Sequence, residues 1–129
     1  MANLNGSWNY RSFRSNDGSP SLVPWAPLGL LTVTTDAAGK VDGKLKFPSI
    51  TGLELTISGT ITPAVAGELP EGVELTGEGG RESVNKLRGY FITGSPGPVV
   101  VGTIVAAKND PAGQPNDTSG PFVLFPVAG

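Results

Sequence analysis

Neither histidine nor cysteine occurs in this chain. That removes the commonest general base, the thiolate nucleophile and the two side chains that most often hold zinc. Proton transfer would fall to a carboxylate working with a phenol or an amine. The residues placed for such chemistry are Tyr10 as hydrogen-bond donor and Glu82 or Asp110 as acid or base. Neither a metal nor a cofactor is expected. A second feature with chemical content is the stretch VPWAPLG, residues 23–29. Trp25 stands between Pro24 and Pro27, which restrict the backbone and present the ring at small entropic cost. Such a ring can cover a cavity mouth, plug it as core, or meet a partner.

These residues need a scaffold, and the scaffold is written in a period of two. In 40–47, Val41, Gly43, Leu45 and Phe47 share one face, while Lys40, Asp42, Lys44 and Lys46 share the other. The same alternation runs through 53–62 and 72–78, placing Leu53, Leu55, Ile57, Val73 and Leu75 inward. Alternation of this length marks antiparallel strands with one buried and one wet face. Eight strands are expected, near 4–14, 28–36, 39–47, 52–62, 72–79, 85–94, 98–107 and 120–127. Segments 36–40 and 94–98 read as hairpin turns, with Gly and Pro at the corners. Segment 79–88 has room for a single helical turn near Ser83. The 129 residues form one domain, 1–129. Eight sequential strands predict an all-β, eight-stranded antiparallel up-and-down barrel, which removes sheet edges, with a β-sandwich as the alternative.

Gly6-Ser7-Trp8 resembles the first-strand Gly-x-Trp of the calycin barrels, the group of lipocalins, fatty-acid-binding proteins and avidins. The hairpin 29–47 is similar to the second and third strands of avidins. The resemblance implies a ligand-holding barrel with Trp8 closing its floor. It does not carry a biotin site. Asn9, Tyr10, Arg11, Ser12 and a long loop follow Trp8, and Trp25 is the only other tryptophan. Subunit packing through the later strands, as in avidins, is also implied.

In such a barrel the two longest connections, 14–27 and 108–120, fall at one end, and closure brings them together. Long loops on a rigid scaffold are where function concentrates. The polar candidates at that mouth are Arg14, Asp17, Arg81, Glu82, Asn85, Lys108, Asn109 and Asp110. The aliphatic interior suits a small apolar molecule, contacted by Trp8, Tyr10, Trp25, Leu45, Leu55 and Leu75. The inward glycines Gly43, Gly59 and Gly77 either open a cavity or relieve strain where the wall bends.

Segments 90–92, 99–107 and 121–127 are apolar on both faces. One face lines the barrel; the other predicts a homo-oligomer, dimer or tetramer, through strands 85–94, 98–107 and 120–127. A formal charge of −2 without a basic cluster argues against nucleic acid. No apolar run suits a membrane span or a signal peptide, so a cytoplasmic protein is expected. Three functions remain. The first is a binding barrel whose ligand enters between 14–27 and 108–120. The second is a cofactor-free cyclase or isomerase using its cavity as a mould, as the allene oxide cyclases do. The third is a structural homo-oligomer.

Overall fold

The computed structural model describes residues 4–15, 21–79, 83–92, 98–108 and 116–127. Among them the fold is all-β, with no helix. The strands are β1 (Gly6–Ser15), β2 (Leu22–Pro24), β3 (Gly29–Thr35), β4 (Lys40–Lys46) and β5 (Glu54–Thr62). They continue as β6 (Gly72–Gly79), β7 (Ser83–Ile92), β8 (Val99–Lys108) and β9 (Ser119–Pro126). From β3 to β9 each strand pairs antiparallel with the next, and β1 pairs with both β3 and β9. Eight strands therefore close into an up-and-down barrel, with β2 as an extra strand on β1. Closure rules out the sandwich, because no main strand is left as an edge. No helix of the described residues is long and apolar enough to cross a membrane.

The alternation in the sequence sets the two sides of the wall. Val41, Leu45, Leu55, Ile57, Val73 and Leu75 are buried, while Lys40, Asp42, Lys44, Thr56, Ser58 and Glu74 are exposed. Paired residues lead from Trp8 through Leu31, Leu45, Leu55 and Gly79 to Ser83 on β7. In the other direction Tyr10 leads through Leu124 and Val100 to Phe91 on the same strand. The arrivals lie eight residues apart and the starts two, so one circuit slips the register by ten residues. With eight strands, that slip tilts each strand by roughly 40° to the barrel axis. The β3–β4 turn is fixed by Asp36, whose Oδ1 accepts the N–H groups of Ala38 and Lys40, both at 2.9 Å. Gly39 supplies the positive φ of 85° there. The single helical turn expected near Ser83 is absent from 83–88, where β7 has already begun. Residues 80–82, and nearly all of the turn expected at 94–98, lie outside the described residues.

Eighteen buried side chains form one continuous core inside the wall. The end where β3–β4, β5–β6 and β7–β8 are joined, called lower here, is sealed by the segment before β1. Leu4 is fully buried, and its carbonyl accepts the indole N–H of Trp8 at 2.9 Å. Its own N–H donates to Thr35 Oγ1 at 3.0 Å. The glycines do not open a cavity. At Gly43 and Gly59 the carbonyls of Thr32 and Glu74 on the neighbouring strands come too close for any Cβ. Glycine there permits the tight approach of a sharply bent wall. At Gly77 the space is taken by Ile57, whose Cδ1 lies 3.1 Å from where a Cβ would stand.

Candidate functional site

The upper end differs in both architecture and chemistry. β1 pairs with β2 through Phe13↔Pro24 and with β3 through Tyr10↔Gly29. Between these pairs two residues of β1, Arg11 and Ser12, face four, Trp25 to Leu28. The surplus residues must bulge out of the ladder, and Pro24 and Pro27 suit a break in pairing because neither offers an N–H. The bulge is tied down where Trp25 N–H donates to Ser12 O at 2.9 Å. Trp25 and Ala26 then lie half-buried against the core, as do Ile50 and Leu53 from the β4–β5 connection at the same end. Trp25 thus packs over the barrel rather than standing free of it.

Beneath this roof, Tyr10 is sandwiched by aromatics. Its ring meets Phe47 edge-on at 6.1 Å and stacks on Phe122 at 6.4 Å. Burial pushes its phenol up to about 12, an effect opposed in part by the hydrogen bond with Ser12. The hydroxyl therefore stays protonated at neutral pH. It is suited to donate a hydrogen bond, not to act as a base.

Among the described residues, the buried polar side chains besides Tyr10 are Ser12, Ser83 and Asn85. All belong to the upper end of the barrel: Ser12 near the end of β1, Ser83 and Asn85 at the start of β7. Ser83 Oγ donates to Gly79 O at 2.7 Å, which helps hold the entry to β7. Asn85 pairs with Gly77 on β6 and Ala106 on β8, so its immediate neighbours are small. A β-bulge in the β7–β8 ladder falls between Val84 and Asn85. It leaves Asn85 facing inward, and Lys108, level with outward Val84, exposed.

The residues named from the sequence part company here. Trp8, Leu45, Leu55 and Leu75 are buried core. Trp25, Tyr10 and Asn85 are gathered at the upper end. Arg14 is half-buried, with Nη1 3.4 Å from Ser15 O. Asp17, Arg81, Glu82, Asn109 and Asp110 lie outside the described residues. Ser12 was not singled out, although it shares the inward parity of Trp8 and Tyr10. No group of three acidic side chains among the described residues is placed to hold a metal ion. An open hollow of about 590 Å³ lies on the outer wall of β5–β8. Its charged groups satisfy one another: Arg88 meets Glu74 at 2.6 Å and Lys86 Nζ meets Thr76 Oγ1 at 3.1 Å.

The structure therefore defines a closed eight-stranded up-and-down barrel, apolar at its sealed end and polar beneath a tryptophan roof at the other. No protein-family model, no curated protein and no solved structure matches the chain.

Proposed function

We propose that this protein is a calycin-like binding barrel that holds a small, largely apolar molecule at its upper end, under the Trp25 bulge. The observation that carries this reading is the segregation of polar groups. Ser12, Ser83 and Asn85 are buried together with Tyr10 at the roofed end, whereas the lower barrel is lined by aliphatic side chains with Trp8 and Phe91. Ser12 and Ser83 are bonded within the barrel, whereas the Asn85 amide has no hydrogen-bond partner among the described residues and is suited to meet a ligand. The filled lower core places the ligand near the mouth rather than deep inside.

Assembly belongs to the same proposal. The outward residues Tyr90, Val101 and Val123 are aligned by register across β7, β8 and β9. Ile92, Val101 and Val127 are among the most exposed large apolar residues of the described chain. Apolar residues exposed together on one wall are suited to burial against another chain. A second copy, packed face to face, would cover it.

Native mass spectrometry of protein purified from its own cells tests both parts. A multimer carrying an added few hundred daltons per subunit is the expected result. A monomer at micromolar concentration overturns the assembly. A panel of lipophilic molecules that leaves Trp25 emission unmoved, with no retained adduct, overturns the binding.

A further inference from the structure

We infer that Asn85 is the recognition group of this site, and that it selects a neutral ligand presenting a hydrogen-bond donor and acceptor side by side, the edge of a primary carboxamide or lactam. This rests on the binding reading above and specifies what the site takes.

Asn85 is only 9% exposed. Its inward direction follows from the alternation of β7, in which Ser83, Leu87, Gly89 and Phe91 are also buried. Among the described residues nothing hydrogen-bonds to its side chain. Yet no fully enclosed side-chain nitrogen or oxygen lacks a partner. The amide of Asn85 therefore opens onto accessible space while most of the residue is shut away. So placed, the amide is free to meet a ligand at the mouth rather than being bonded into the wall.

Two features show that the placement is built rather than accidental. The β-bulge sits at Val84/Asn85, and bulges at barrel rims serve to re-aim a side chain. The residues paired directly with Asn85 are Gly77 and Ala106, whose own side chains are no larger than a methyl. Leu55 and Ile57 fill the space over Gly77 and give Asn85 an apolar flank on that side.

The chemistry of the ligand follows from the chemistry of the side chain. A carboxamide offers two donors and one acceptor in a plane. Another amide edge satisfies it with two parallel bonds, whereas a ketone or ether supplies only an acceptor. The other polar side chains buried at this end, Ser12, Ser83 and Tyr10, are uncharged, so an ionised ligand would meet no counter-charge among the buried groups of the described residues. Neutrality is thus part of the selection.

The test uses octanamide, its near-isostere 2-nonanone, and octanoate as probes. Each is titrated against the full chain and against Asn85→Leu by tryptophan emission, with the Asn85 side-chain NH₂ resonances followed by NMR. The expected result is octanamide binding at least tenfold tighter than either other probe, a shift of the Asn85 NH₂ pair, and loss of the preference in Asn85→Leu. Equal affinity for octanamide and 2-nonanone overturns the amide assignment and leaves ligand binding standing. Binding of none of the three, with the NH₂ resonances unmoved, overturns both. The NMR measurement on the unaltered chain decides the matter even where Asn85→Leu does not fold.

Discussion

The two ends of the barrel solve opposite problems with the same wall. At the lower end the seal is closed on itself: Leu4 is buried, the Trp8 indole is bonded to its carbonyl, and its N–H is bonded to Thr35. At the upper end a tryptophan is held by a break in strand pairing, and the buried Asn85 has no side-chain hydrogen bond among the described residues. Local consistency is what makes a sequence fold, and departures from it concentrate at functional sites. On the binding reading proposed above, the lower end supplies stability, and the upper end gives some of it up for recognition.

The difference can be broken most severely from below. Leu4→Ala removes a fully buried side chain from the seal and should lower the unfolding free energy by about 2–5 kcal/mol in urea titrations. A loss within 0.5 kcal/mol would show that the seal is not what separates the two ends.

The next test reads the aromatic layer under the roof by pH. With its phenol pushed up to about 12, Tyr10 ionises in the unfolded chain near pH 10 while it still holds its proton in the folded one. The unfolded state then binds fewer protons, so stability falls as pH rises from about 10 to 12. The loss totals roughly 2–3 kcal/mol. Below pH 10 this group contributes no slope. Tyr10→Phe should flatten that window; a slope unchanged in the variant would mean the ring is not sealed from solvent.

The smallest effect sharpens the contrast. Asn85→Leu should leave stability within about 0.5 kcal/mol of the parent or raise it, since an unpaired polar group gives way to an apolar one of similar size. A drop above 2 kcal/mol would reveal a structural partner for the amide and erase the distinction between the ends.

Much of the scaffold was legible because alternation is local. Segments 40–47, 53–62 and 72–78 announce their inward faces residue by residue, and the strand limits read from them fall within two residues of β4, β5 and β6. The outward apolar rows of β8 and β9 were visible for the same reason. The three-residue β2 was not, since Leu22–Pro24 is too short for a period and ends on a proline. Nor was the role of Leu4, whose burial depends on Trp8 and Thr35 meeting it across the floor. The glycines stayed ambiguous in sequence because their use depends on which carbonyl lies opposite, and register decides that. Trp25 was recognisable as a presented ring; its direction came from a count of unpaired residues against Arg11 and Ser12.

The shared pairing of β1 also governs the order in which the chain can assemble. β1 is synthesised before its partners, and its edge toward β9 stays open until residues 119–126 have appeared. Such pairing across most of the chain delays closure relative to the intervening hairpins, because loop-closure entropy must be overcome first. During that interval β1 and β8 expose unsatisfied edges beside an apolar surface, the arrangement most prone to pairing with a neighbouring molecule. Loss of β9 by truncation would make the interval permanent, leaving an open sheet with a tendency to aggregate.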